Sequence, residues 1–218
     1  DPFAMFFGTV AFSKTVNFDV AKHLGSMSVK LILAPDYEEK ALDLLKETTD
    51  AKIVKLITPL KDYKKITQEE INVTPFGTLV QENNRSELDK DLFKVVTKTK
   101  PTSEQIEDAI FAWKIAKYSR TNAVVVAHDF KTSAIAQGQT SAVAAVEIAM
   151  DTACDNSKGS VLASDEALQG AEAVNAAAQG RVSLIIQPGG SIRDREVIAA
   201  ADKFNIAMVF TGIRNLRF

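Results

Sequence analysis

Asn122 stands where the sequence changes its period. Before it, Glu104 to Tyr118 sets Ile106, Ala109, Ile110, Trp113 and Ala116 at helical spacing, with one wet face. After it, Ala123 to Ala127 is an unbroken apolar run of strand length, which predicts a strand covered on both faces. A carboxamide at that junction lies at a sheet edge, where it can orient a ligand or close a turn. His128 to Lys131 reads as a polar turn and Ser133 to Ala136 as the return strand. Gly138 lets the backbone approach a ligand or serves as a loop glycine. Thr140 or Ser141 can cap the small-residue helix that starts near Ala142, whose first N–H groups suit an anion or a carboxamide oxygen.

Three other places offer chemistry. Ser164-Asp165 ends a predicted strand, where ligands sit in open parallel sheets; the acid can bind a ligand, bind a cation or cap the next helix. Gly189-Gly190-Ser191-Ile192-Arg193-Asp194 follows a strand and opens a helix, but matches neither the dinucleotide nor the P-loop pattern. Arg214 and Arg217 lie in the tail, where a guanidinium can take a phosphate in two-pronged fashion or stay solvated. With one cysteine (Cys154) and two histidines (His23, His128), no catalytic triad, metal cluster or zinc deaminase signature can be assembled.

Composition narrows the partners. The 218 residues carry 26 basic and 28 acidic side chains, so neither nucleic acid nor a membrane surface is expected. No apolar run is long enough to span a bilayer. A single cysteine excludes an internal disulfide and fits a reducing, cytoplasmic location. The chain opens on Asp1-Pro2-Phe3 with an apolar stretch like the middle of a core, so a fragment or processed product is expected.

The elements that must hold these residues repeat. Strands are predicted at Thr9–Phe12, Val29–Leu33 and Ala51–Ile57, with helices before Gly25 and over Tyr37–Glu47. Lys61 to Glu70 reads as a loop, Phe76–Gln81 as a strand, and Thr102 with Gln105 as a capping box. The later chain predicts a strand running to a loop over Gly159–Asp165 and strands at Val182–Ile186 and Ile206–Phe210, with helices over Glu166–Gln179 and Glu196–Phe204. Pro35 precedes Ile53 by 18 residues and Pro188 precedes Ile206 by 18. Val10–Ile57 and Val161–Phe210 therefore read as two copies of one strand-helix-strand-helix-strand unit, an α/β fold. The expected division is 1–60 for an incomplete first copy, 61–100 for a connection and 101–218 for the second.

Several runs match a known family in order along essentially the whole chain. They are Phe111–Lys117, Thr121-Asn122-Ala123, Gly138-Gln139, Ala163-Ser164-Asp165, Gln187–Asp194 and Ala207–Arg214, with Ile32–Pro35, Gly77–Gln81 and Val95-Val96-Thr97 earlier. The chain resembles the AICAR formyltransferase part of the family that joins this activity to IMP cyclohydrolase. The resemblance implies two cytidine-deaminase-like α/β/α subdomains without zinc, the first incomplete. It implies formyl transfer from 10-formyltetrahydrofolate, the co-substrate, to the amine of AICAR in purine biosynthesis, and a homodimer that builds the sites. By it, Asn122 orients the reacting carboxamide or formyl group, Gln139 and Ser141 line the substrate pocket, Asp1 helps hold AICAR and Arg214 takes the nucleotide phosphate. Asp165 sits beside the folate or at a structural potassium site.

The pattern is broken in places. The family's Lys-His pair is not in this chain, its Arg after Gly-Gln-x-Ser is Ala142, its aromatic run after Ser-Asp is Glu166–Gln169, and its terminal His is Phe218. These changes leave a second reading, a homologue that binds nucleotide or a partner without transferring formyl groups.

Overall fold

A computed structural model describes residues 6–63 and 69–217. Asp1 and Phe218 lie outside the described residues. The chain forms two compact units, Asp1–Asn83 and Asn84–Phe218.

In the first unit, β1 (Thr9–Ala11), β2 (Leu31–Ala34) and β3 (Lys52–Lys55) form a parallel sheet in that order. Helix α1 (Phe18–Gly25) starts on Asn17, whose Oδ1 accepts the Val20 N–H at 3.0 Å; α2 (Glu39–Thr48) follows β2. Val16, Ala21, Leu24, Ile32, Ala41 and Leu45 fill the space between helices and sheet. Beyond a four-residue helix, α3 (Leu60–Tyr63), an antiparallel hairpin runs through β4 (Glu69–Thr74) and β5 (Gly77–Glu82). The loop expected over Lys61–Glu70 is thus in part a helix and the start of a strand. The charged Glu69-Glu70 pair hides the strand, because its alternation begins only at Ile71.

The second unit holds a six-stranded mixed sheet in the order β6-β11-β10-β9-β7-β8. The strands are β6 (Lys94–Val95), β7 (Val124–His128), β8 (Lys131–Ala136), β9 (Val161–Ser164), β10 (Leu184–Gln187) and β11 (Ala207–Phe210). β9, β10 and β11 are parallel, while β7 runs against β9 and β8, and β6 runs against β11. Helix α4 (Ser103–Tyr118) covers one face and α5 (Ala142–Ala153), α6 (Ala171–Gln179) and α7 (Asp194–Lys203) the other. β7, β9, β10 and β11 each divide their side chains between the two cores. Val124 and Val126 join the three-helix side, Val125 and Ala127 the α4 side. That is why the run after Asn122 carries no polar residue.

The capping box is formed: Thr102 Oγ1 accepts the Gln105 N–H at 3.2 Å and Gln105 Oε1 accepts the Thr102 N–H at 2.9 Å. The β7–β8 turn has Asp129 and Phe130 both at positive φ, 50° and 54°. Their N–H groups donate to the carboxylate of Asp108 on α4 at 2.8 and 2.9 Å, and Asp108 is buried. Asp108→Ala is expected to cost about 2 kcal/mol by stranding two donors, measured as a lower urea midpoint with an unchanged slope. Among the described residues, no helix is long and apolar enough to cross a membrane.

One helix expectation is corrected. α6 begins at Ala171, not Glu166. The Leu168 N–H donates to the buried Gln187 Oε1 at 2.7 Å, and the Ala167 N–H to Glu166 Oε1 at 2.9 Å. These side chains satisfy the amides locally and hold residues 165–170 in a loop.

Candidate functional site

Every strand of the large sheet sends a terminus to one edge. Pairing places the ends of β8, β9, β10 and β11 beside the starts of β7 and β6. This is the edge where parallel α/β sheets hold ligands. Asn122, Gln139, Asp165 and Arg214 all follow or precede these termini.

The Asn122 backbone and Gln139 exchange N–H···O bonds at 3.3 Å in both directions, and Asn122 Nδ2 donates to the Gln139 carbonyl at 2.9 Å. Gly138, with φ 67°, turns the chain after β8, and its N–H donates to the Arg120 carbonyl at 2.7 Å. The peptide between Thr121 and Asn122 is cis. The second amide hydrogen and the side-chain oxygen of Asn122 have no partner among the described residues. The amide thus offers one donor and one acceptor to a ligand. Ser141 Oγ accepts the Ala144 N–H at 3.1 Å and caps α5, which leaves its hydroxyl hydrogen to donate.

Asp165 is fully buried. Its Oδ2 accepts the Thr121 hydroxyl at 2.7 Å and its Oδ1 the Ala123 N–H at 2.8 Å. Burial pushes its carboxyl above the usual 3.8, against the pull of these donors, and Glu166 adds to the rise. Asp165 does not cap a helix, since α6 starts six residues later.

The tail is stitched down rather than solvated. Thr211, Gly212 and Asn215 donate backbone N–H groups to the carbonyls of Gln187, Pro188 and Asp165 at 2.9, 2.9 and 3.0 Å. The Arg217 N–H donates to Thr121 Oγ1 at 2.8 Å. Arg214 is thereby fixed over the edge, with Nε 3.3 Å from Glu166 Oε1 and its side chain half exposed. Asn215 is buried; its Oδ1 accepts from Asn84 Nδ2 at 2.9 Å, while its own Nδ2 has no partner among the described residues. The loop after β10 spends its amides internally, because Asp194 accepts the Gly190 and Ser191 N–H groups at 2.8 and 3.1 Å.

Asn122 and Gln139 are therefore hydrogen-bonded to each other, and Thr121 and Asn215, the chain neighbours of Asn122 and Arg214, are both hydrogen-bonded to Asp165. The family model described as AICARFT/IMPCHase bienzyme matches residues 1–152. The chain belongs to this family. The Bifunctional purine biosynthesis protein PurH of Caldicellulosiruptor saccharolyticus is 44% identical over 217 residues, covering 100% of this chain and 42% of the relative. Its counterpart in Dictyostelium discoideum is 40% identical over 220 residues, covering 99% of this chain and 40% of the relative. The chain thus spans about two fifths of the length of these bienzyme relatives.

Sequence reading missed Thr121, Glu166 and Gln187, the residues that position the others. Thr121 was visible only as the neighbour of Asn122. Glu166 sat inside a predicted helix, and Gln187 looked like a strand end. Asp1 cannot be placed, since it lies outside the described residues. Among the described residues, no three His, Cys, Asp or Glu side chains come together as a metal site.

Proposed function

We propose that the chain is the AICAR formyltransferase part of this bienzyme family and serves purine biosynthesis. The repeated strand-helix-strand-helix-strand order in both units supports a duplicated cytidine-deaminase-like fold. In the reaction the AICAR amine attacks the formyl carbon of 10-formyltetrahydrofolate. A new C–N bond forms, the bond to N10 breaks, the amine gives up a proton and tetrahydrofolate leaves with one. The observation that carries the proposal is the convergence of Asn122, Gln139 and Arg214 on one strand edge. Asn122 would pair its free donor and acceptor with the substrate carboxamide or formyl group, Gln139 and Ser141 would line the pocket, and Arg214 would take the phosphate. Asp165 and Thr121 offer hard oxygen donors in a buried, anionic place, which suits a potassium ion better than direct folate contact, because the carboxylate is sealed from solvent. Asp1 would help hold AICAR. Two copies would complete the sites in the cytoplasm.

A second reading is favoured by one observation. Ala142 is buried at the start of α5, where the resemblance expects an arginine, so one cation of the site is replaced by core packing. A homologue that binds AICAR without transfer would follow. Incubating the full-length protein with AICAR and 10-formyltetrahydrofolate and following tetrahydrofolate release separates the two. Turnover is expected; AICAR binding without turnover selects the second reading.

A further inference from the structure

Glu166 is the carboxylate that meets Arg214, and its side chain is only 13% exposed. The loop that carries it is pinned on both sides. Before it, Asp165 spends its oxygens on Thr121 and Ala123; after it, the Leu168 N–H is fixed on the buried Gln187. Glu166 Oε1 also accepts the Ala167 N–H at 2.9 Å, which holds the carboxylate against its own backbone. The contact with Arg214 is a single one, through Nε at 3.3 Å. A carboxylate that aims a guanidinium grips two nitrogens at about 2.8 Å, so here charge acts more than direction. Of the two tail arginines, Arg217 gives Nη1 to the Tyr118 carbonyl at 3.0 Å. Arg214 and Lys94 are the charged side chains lining the cleft of about 640 Å³ beside the ends of β10 and β11. Glu166 does not line that cleft, yet it cancels one of their two charges before any ligand arrives.

We infer that Glu166 is a specificity-determining residue, a built-in counter-anion for Arg214 that tunes this strand edge to singly charged ligands and against dianions. Two cations less one carboxylate leave a single positive charge, which a monoanion balances. A dianion brought to the guanidinium meets the Glu166 carboxylate at close range, in a half-buried place where water screens the repulsion poorly. The inference rests on the phosphate role proposed for Arg214 and adds to it the residue that limits it.

Calorimetric titration of the chain with AICAR at low salt tests it, at about pH 8, where a phosphate monoester is a dianion. Glu166→Gln is expected to bind AICAR about tenfold tighter than the native chain, as removal of one nearby like charge does. Glutamine keeps an oxygen for the Ala167 N–H, so the loop keeps its shape. Glu166→Ala is expected to tighten binding as well, the unphosphorylated riboside to bind all three chains alike, and the gain to shrink at high salt. Weaker AICAR binding in Glu166→Gln would show that the carboxylate orients the guanidinium, which overturns the inference and leaves the role of Arg214. A gain in Glu166→Ala alone would make the effect one of space rather than charge and overturn it too. Equal affinity, or no binding, in all three chains would also overturn it. Tighter binding in Glu166→Gln, in a full-length protein that releases no tetrahydrofolate, would uphold the role of Glu166 and remove the transfer reading.

Discussion

Asp165→Ala is expected to lower the melting temperature by roughly 9 °C, while Asp165→Asn loses much less. Alanine leaves the Ala123 N–H and the Thr121 hydroxyl without the carboxylate they now donate to, at 2.8 and 2.7 Å in a fully buried place. Stranding two donors of a charged acceptor costs roughly 3 kcal/mol, and each kcal/mol is worth about 3 °C in a chain of this size. Asparagine keeps an oxygen for the Ala123 N–H. Its amide hydrogen can reach Thr121 Oγ1, which already accepts the Arg217 N–H, so only the Thr121 hydrogen must find a new acceptor. The two variants also differ from the native chain in pH dependence. Burial raises the folded carboxyl above 3.8, so its favourable contribution is full below the unfolded value and is lost as pH rises through the folded one. The asparagine variant does not titrate there. The native chain should therefore lose stability relative to Asp165→Asn as pH climbs above 3.8, and then run parallel to it. A difference that is flat from pH 3 to 7 would show that Asp165 titrates in the fold as it does unfolded.

The same carboxylate shows where sequence reading reaches and where it stops. The alternation of the α/β core was legible, because Val124 to Ala127 must be apolar on both faces to lie between α4 and α5. The capping box at Thr102 was legible because both its partners lie within one turn. Asp165 was legible as an acid at a strand end, but not as a buried brace. Its partners lie 44 and 42 residues away, and no local spacing encodes them. Asp108 was hidden for the same reason: it reads as a wet helical position, yet it closes a hairpin turn 21 residues on. The tail read as solvated because Arg214 and Arg217 are charged, whereas the groups that bind it down are backbone amides, which look alike in any sequence. The helix expected from Glu166 failed on competition: its helical residues are outbid at that end by Gln187, a side chain from the next strand.

For the formyl transfer proposed above, Asn122→Ala is expected to lower kcat about 100-fold, with KM for AICAR changed far less. The amide spends one hydrogen on the Gln139 carbonyl, which fixes its plane, and keeps a donor and an acceptor facing the strand edge. A donor already aimed at a developing charge needs no reorganisation when the reaction occurs, and removing one such group in other enzymes costs 100-fold or more. Loss of the Gln139 contact should cost about 1 kcal/mol of stability, since the backbone exchange between the two residues remains. Asn122→Asp is the sharper variant. It keeps shape and acceptor, deletes the donor that fixes the plane, and adds negative charge where an oxygen gains it, so kcat should fall at least as far. If Asn122→Ala lowers stability while leaving kcat intact, the residue is a brace for the turn after β8 and the chemistry lies with other groups. A fall in kcat with AICAR binding preserved puts the amide at the reacting atoms, since a brace would loosen Gln139 and the substrate together.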